Sequence, residues 1–217
     1  RWDKSYCVVS RNQLASLQMM DQSPAFARAA YDVSPQSLSR MTTMQTLPLY
    51  HSIRNWFREK RQARRLVRWV NAGKPVPPPH IVKQMALKES LSAYGVRILV
   101  ETGTFRGDMG EAMRRHVDHV FSIELSETFA QRAGERFRTV SNVEIILGDS
   151  GQELEKLVPR LSGPALFWLD GHYSGGITAK ADKDCPVPEE LHAIFSSPVN
   201  HIILIDDARL FNGTNDY

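Results

Sequence analysis

The sequence predicts an α/β fold built on a doubly wound, mostly parallel sheet, with a helical extension before it. Two observations carry this prediction: short apolar segments recur after Gly95, and a segment with helical periodicity follows each of the first four. Strand and helix in regular alternation imply right-handed crossovers, which place helices on both faces of a parallel sheet. A chain of 217 residues, of which 42% are hydrophobic, is long enough for one such domain and an appendage.

Charge divides the chain into two parts. Residues 1–93 hold 15 lysines and arginines against 5 acids, a net charge of +10, whereas residues 94–217 hold 12 against 19, a net charge of −7. We therefore expect contact with a polyanion or an anionic surface only in the N-terminal part. The split disfavours a protein that binds nucleic acid over its whole surface.

Cysteine content and hydropathy predict a cytoplasmic protein. The two cysteines, Cys7 and Cys185, have no metal-ligand spacing and provide no disulfide framework. No stretch approaches roughly eighteen consecutive apolar residues, and the first residues lack the apolar core of a signal peptide. Peripheral contact with a membrane is compatible with this expectation.

The chain is predicted to have three sections. Residues 1–48 are a poorly patterned extension. Residues 49–94 are a basic helical segment, and a proline-rich strap at 72–80 ends its first helix, because proline lacks a backbone donor. Between residues 51 and 70, apolar side chains recur at three- and four-residue spacing among arginines. Residues 95–217 are predicted to form the sheet domain.

Five strands are predicted in the sheet domain, in the order of the chain. They are residues 97–101, 117–124, 143–147, 165–170 and 201–206. Ligands of a doubly wound sheet bind outside the carboxyl ends of its strands. The residues that follow each strand are therefore the candidates for a site.

The first strand runs into a glycine-containing turn from Glu101 to Asp108. Gly103 and Gly107 allow a tight turn and a close approach of the backbone to a ligand. The helix that follows has free N–H groups at its start. Alone, this turn is a weak signal, and an ordinary strand-to-helix loop also explains it.

Carboxylates at the ends of successive strands strengthen the interpretation as a ligand site. Glu124 ends the second strand 23 residues after Glu101, where nucleotide-binding sheets place an acid that accepts both ribose hydroxyls. Asp149 and Ser150 follow the third strand and suit either an adenine amino group or a helix cap. Asp170 ends the fourth strand, and acids at the edge of a sheet usually have a ligand or a partner.

These segments, ValGluThrGlyThrPheArgGly, SerIleGluLeu, GlyAspSer and PheTrpLeuAspGlyHis, resemble the class I S-adenosylmethionine-dependent methyltransferases over about residues 95–210. The first has the ExGxxxG form typical of that family rather than the GxGxxG of nicotinamide-binding sheets. The resemblance implies a Rossmann-like fold whose first turn wraps the amino-acid end of S-adenosylmethionine, with Glu124 on the ribose. The implied cofactor-binding residues are Glu101, Gly103, Thr104, Gly107, Asp108, Glu124, Asp149 and Ser150.

The family's sheet normally continues after the fifth strand with a helix and an antiparallel pair of strands. Only residues 208–217 remain here for that part. We therefore expect the C-terminal strands to be missing, or part of the sheet to be supplied from elsewhere.

Three carboxylates predict a cation near the fourth and fifth strands. Asp170, Asp206 and Asp207 end adjacent strands and would repel one another without a cation, and an all-oxygen set favours Mg²⁺. The set resembles that of metal-dependent O-methyltransferases of the macrocin or sugar type, in which a metal-bound hydroxyl is activated for attack. In the alternative, Asp207 caps a helix and Asp206 alone faces the site.

Asp170 and His172 are the candidate catalytic residues. A histidine with an ordinary pKa near 6.5 is suited to accept the acceptor's proton. A solvated loop histidine is the equally good alternative for His172.

Two functions remain open. The first is transfer of a methyl group to an oxygen of a small-molecule acceptor, a sugar, polyol or phenol, assisted by a divalent cation. The second is a noncatalytic or RNA- or membrane-associated module that binds S-adenosylmethionine and uses the basic helix at 51–70. That helix would contact an anionic membrane surface. In the alternative, its apolar face packs against the sheet domain or a second copy of the chain and its arginines remain in water. Nucleic acid is disfavoured, because the sequence lacks the Asn/Asp-Pro-Pro-Tyr/Phe motif of base-modifying amino-methyltransferases.

Overall fold

A computed structural model describes residues 6–9, 49–170 and 186–208 of the chain. Its strands are β1 (Tyr6–Val9), β2 (Ile98–Thr102), β3 (His119–Glu124), β4 (Val143–Leu147), β5 (Ala165–Leu169) and β6 (Ile202–Asp206). Its helices are α1 (Leu49–Asn71), α2 (His80–Tyr94), α3 (Asp108–Met113), α4 (Glu127–Phe137), α5 (Ser150–Leu157) and α6 (Val187–Phe195), with a 3-10 turn at Val158–Arg160.

The strands form one sheet in the order β1-β6-β5-β2-β3-β4. Strands β2 to β6 are parallel, which confirms the predicted doubly wound sheet. From β2 the chain proceeds outward through β3 to β4, then returns to place β5 and β6 on the other side. The strand order thus reverses beside β2, and a doubly wound sheet binds its ligand at such a reversal.

The sheet is covered on both faces, so its central strands are buried throughout. On β5, Leu166 and Trp168 pack with Leu87 of α2, whereas Phe167 packs on the opposite face with Ile194 of α6. This two-sided burial explains why β5 is a continuous apolar run rather than an alternating one. Helix α2, predicted as part of the extension, is therefore part of the core of the sheet domain.

The antiparallel strand β1 was not predicted. The sequence interpretation left residues 1–48 without assigned structure, yet β1 pairs with β6, with Tyr6 opposite Asp206. Four residues are too few to show a period of two, which is why the pattern did not reveal the strand. The antiparallel position beside β6 is thus supplied by the N-terminal extension, one of the two expectations for this part of the sheet.

Helix α1 agrees with its prediction and has a buried anchor near its end. Trp69 is buried, and its indole Nε1 donates a hydrogen bond to the Pro75 carbonyl at 2.7 Å, so the proline strap folds back on the helix. Val67 and Val70 are 54% and 44% exposed. Among the described residues, no helix has both the length and the apolar content needed to cross a bilayer.

Candidate active site

The turn after β2 has a left-handed backbone at alternate residues. Gly103, Phe105 and Gly107 have φ of 84°, 47° and 71°. The Gly103 amide donates to the Ile123 carbonyl at 2.9 Å, which ties the turn to β3. Left-handed backbone at Phe105 is uncommon for a residue with a side chain and needs support from its surroundings. The turn brings the start of α3 to the carboxyl edge of the sheet.

Glu124 provides that support. Its Oε2 accepts a hydrogen bond from the Phe105 amide at 2.7 Å, and its Oε1 accepts one from the Ser126 amide at 2.9 Å. The carboxylate is buried, and each oxygen has one backbone donor. A carboxylate oxygen can accept a second hydrogen bond. Glu124 therefore joins the turn to the end of β3 and keeps the capacity to accept two hydroxyl groups.

Glu101 lies at the centre of a buried polar chain. Ser122 Oγ donates to Glu101 Oε2 at 2.7 Å, and Thr104 Oγ1 lies 2.7 Å from Ser122 Oγ. Burial raises the pKa of Glu101 to about 8; the Ser122 hydrogen bond opposes this shift, and the charges of Glu124 and Asp108 add to it. The predicted ligand Thr104 thus supports Ser122 and Glu101, and Glu101 is protonated at neutral pH unless a cation approaches it.

The other predicted cofactor residues are in the same edge but have structural partners. Asp108 is the first residue of α3 and accepts a hydrogen bond from Arg136 at 2.8 Å. Asp149 caps α5 by accepting the Gln152 amide at 3.1 Å, and Ser150 begins that helix. Asp149 therefore acts as a helix cap, which was the alternative to a contact with adenine. It still lies after β4, at the edge of the sheet where adenine is expected.

Asp170 and Asp206, at the ends of the adjacent strands β5 and β6, adjoin each other. The Asp170 amide donates to the Thr102 carbonyl and hydroxyl, each at 3.3 Å, which fixes the chain where β5 ends. Burial, and then the negative charge of Asp206, raise the pKa of Asp170 well above its usual range, while Lys83 opposes the shift. Such a pair carries less charge than two free carboxylates.

Lys83 was missed by the sequence analysis and completes this pair. It lies on α2, and its ammonium forms an ion pair with Asp206 Oδ2. The two residues are 123 positions apart, so no spacing in the sequence connects them. The available signal was the need for a cation among the aspartates, together with a lysine next to Val82, a buried residue of α2.

The predicted metal ligands do not form a metal site in the described chain. Residues 49–170 and 186–208 contain no group of three histidine, cysteine, aspartate or glutamate side chains arranged to hold a metal ion. The role of Asp170, Asp206 and Asp207 as a metal set therefore stays a prediction. In the described residues, Asp206 Oδ2 is paired with the ammonium of Lys83. His172, the second candidate catalytic residue, lies outside the described residues.

Glu190 is a further residue at this edge that the sequence did not predict as part of the site. It is fully buried on α6, with the hydroxyls of Ser150 and Thr102 beside its carboxyl. Burial raises the pKa of Glu190 to about 7, more than those hydroxyls lower it. The spacing of Glu190 from Ala193 and Ile194, both buried, was the signal that it faces inward.

Comparison with known proteins agrees with this architecture. No family model matches the chain. A protein-L-isoaspartate O-methyltransferase from Bradyrhizobium sp. (strain ORS 278) is 33% identical over 82 residues, which are 37% of each protein. The O-methyltransferase TomG from Streptomyces achromogenes, solved in complex with SAM, matches with a TM-score of 0.50 and 15% identity, over 83% of this chain and 77% of TomG.

These observations define the fold alone, a Rossmann-like α/β sheet similar to that of the O-methyltransferase TomG. The chain has this fold, as its sheet order and the match to TomG show. The matched stretch of the isoaspartate relative spans little more than a third of that protein. The activity and the methyl acceptor therefore have to be inferred from the residues of the site.

Gly107 gives a test of the turn. A Cβ at this position would lie 2.7 Å from Cε2 of the buried Phe137 ring, and φ is left-handed. We expect Gly107→Ala to lower the free energy of unfolding by about 1–3 kcal/mol in urea denaturation. Gly134→Ala is the matched control, because Gly134 lies within α4 with open space around it, and it should stabilise by up to about 1 kcal/mol. Equal shifts in the two variants would contradict the described turn.

Proposed function

We propose that the protein transfers a methyl group from S-adenosylmethionine to an oxygen atom of a small molecule, a sugar, polyol or phenol. The observation that carries this proposal is the pair of buried acids, Glu101 and Glu124, around a left-handed turn at the carboxyl edge beside β2. Both compared proteins are named O-methyltransferases, which supports oxygen as the acceptor atom.

The two acids suit different parts of the cofactor. Glu124 has one backbone donor on each oxygen and can accept the two ribose hydroxyls with its remaining lone pairs. Glu101 is buried, with a serine donor on one oxygen, and an ammonium group is the partner that such a carboxyl needs in order to ionise. Ribose at Glu124 and the amino group at Glu101 place the cofactor along the ends of β2 and β3.

The reaction then requires a base and an aligned acceptor. The acceptor's hydroxyl proton passes to a carboxylate or histidine, its oxygen forms a bond to the methyl carbon, and the carbon–sulfur bond breaks to leave a neutral thioether. Asp170 follows β5, the strand beside β2, so it is at the correct edge to take that proton. Alignment of oxygen, carbon and sulfur in one line provides most of the rate enhancement, on the order of several kcal/mol.

The proposal does not include the Mg²⁺ that the resemblance implies, because the described residues do not fit it. One oxygen, Asp206 Oδ1, is buried and makes no hydrogen bond to the described residues, as a metal ligand could. The other oxygen is paired with Lys83, and the three aspartates do not form a ligand group in the described chain. A divalent ion also needs several oxygens at about 2.0–2.6 Å.

Cofactor binding tests the proposal directly. We expect S-adenosylmethionine and its demethylated product to bind the wild type in calorimetric titration. Glu124→Gln should weaken binding at least about tenfold, because the amide cannot accept with both of its heavy atoms. Glu127→Gln, an exposed position at the start of α4, should bind like the wild type. If neither compound binds the wild type, the proposed function fails.

Glu101 predicts how binding depends on pH. Its pKa is raised to about 8, so the free protein keeps this carboxyl protonated at pH 7, and binding an ammonium group must expel the proton. Affinity should therefore rise with pH up to about 8, by at most about tenfold per pH unit. Calorimetry at pH 6 to 9 measures this slope. Glu101→Gln should remove most of it, and a wild-type affinity that does not change with pH would contradict the assigned role.

A second proposal concerns α1, which we infer to contact an anionic membrane surface. Along the described side chains of this helix, Arg61, Arg65 and Arg68 are exposed, as are Val67 and Val70. Exposed apolar and basic side chains on one helix are typical of helices that lie at a lipid interface. This contact would bring the enzyme to its acceptor or make the chain a noncatalytic membrane-bound module.

Vesicle binding distinguishes this contact from others. We expect co-sedimentation with vesicles that contain phosphatidylserine, weaker binding with neutral phosphatidylcholine, and loss at high salt. Arg61→Glu with Arg65→Glu should abolish binding, whereas Arg132→Glu with Arg138→Glu, exposed charges on or next to α4, should not. Equal effects of the two pairs, binding to RNA alone, or salt-insensitive self-association would contradict the proposal.

A further inference from the structure

The ion pair between Lys83 and Asp206 joins the helical extension to the carboxyl edge of the sheet. Lys83 lies one turn before Leu87, which is fully buried against the sheet, so the core of α2 places the lysine. Its side chain is 16% exposed and that of Asp206 is 1% exposed. The ammonium also lies 5.9 Å from the centroid of the Trp168 ring. The ion pair is therefore largely desolvated, and the buried side of α2 fixes the position of Lys83.

The contacts of Lys83 place a cation at the edge where the two aspartates lie. Its ammonium forms an ion pair with Asp206 Oδ2, at the end of β6, the strand that pairs with β5. The aspartates at the ends of β5 and β6 thus already have a cation, and it belongs to the chain.

We propose that Lys83 is the resident cation of the Asp170–Asp206 pair and takes the place of a divalent metal there. The metal part of this proposal stands on the ion pair alone. Its consequence for catalysis, that the acceptor end of the site is completed by α2 rather than by a bound ion, rests on the proposed function. In that role Lys83 is a positioning residue, which holds Asp206 beside Asp170.

The different chemistry of an ammonium group and of Mg²⁺ supports Lys83 in the place of a divalent metal. An ammonium offers three donors and needs no dehydrated octahedral shell, whereas Mg²⁺ requires near-ideal oxygen geometry and gives up its water reluctantly. A metal that bound Asp206 Oδ2 would have to displace the ammonium or lie against it, and two cations at one buried carboxylate repel. Removal of the lysine charge leaves Asp206 buried and uncompensated, a state that a divalent ion relieves.

Manganese binding tests the proposal without any acceptor. The probe is Mn²⁺ alone, followed by the loss of its free electron paramagnetic resonance signal on the full chain. We expect no stoichiometric binding by the wild type or by Lys83→Arg below millimolar Mn²⁺. Lys83→Met should gain at least about tenfold in Mn²⁺ affinity, and addition of Asp206→Asn should remove that gain. Circular dichroism confirms that each variant is folded, and Lys83→Gln replaces Lys83→Met if the latter does not fold.

Two results would overturn the proposal. One is tight binding of a single Mn²⁺ by the wild type that Asp206→Asn abolishes, and this measurement needs no lysine variant. The other is a folded Lys83→Met or Lys83→Gln protein that binds Mn²⁺ no better than the wild type. Calorimetry of the demethylated cofactor, with EDTA or with Mg²⁺ present, separates the two proposals. Equal affinity in both buffers is expected, and absence of binding in both refutes the proposed function while the manganese result still decides the role of Lys83.

Discussion

Burial of carboxylates at one edge of the sheet is the constraint on which the rest of the structure depends. An ionised carboxylate removed from water is costly unless donors or a cation replace the lost hydration. Each buried acid here meets that cost differently. Glu124 takes two backbone amides, Asp206 takes the ammonium of Lys83, and Glu101 and Glu190 have raised pKa values that favour the protonated form. These contacts hold the turn after β2, connect α2 to β6 and set the protonation of the acids at this edge.

The parts of the fold that depend on local pattern could be predicted from the sequence. Apolar side chains at helical spacing predicted α1. Short continuous apolar runs predicted the five parallel strands, because strands buried on both faces have apolar side chains on both sides. The acids Glu101 and Glu124 could also be predicted, since each lies at the carboxyl end of a strand and the carboxyl ends of parallel strands meet at one edge. These predictions depend only on local sequence pattern and not on contacts between segments that are distant in the chain.

The parts that depend on distant contacts were not predictable in this way. Lys83 meets Asp206 across 123 positions, and β1 is too short to show its own period. Three aspartates near one edge imply a cation, but the sequence does not reveal whether that cation comes from solvent or from the chain, and in the structure Asp206 pairs with Lys83. Asp149 shows the same ambiguity, because one residue type serves both a ligand and a helix cap. Where two roles need the same chemistry, only the fold distinguishes them.

The pairing of β1 with β6 also protects the sheet from association with other chains. A buried apolar strand such as β6 would otherwise present a row of unpaired amides and carbonyls, the kind of edge that adds strands from other molecules. Residues Tyr6–Val9 cover that row antiparallel to Ile203–Asp206. A protease that removes them would thus uncover an aggregation-prone edge directly beside the residue that pairs with Lys83. Covering this edge is thus a second consequence of the β1–β6 pairing, besides the completion of the sheet next to Asp206.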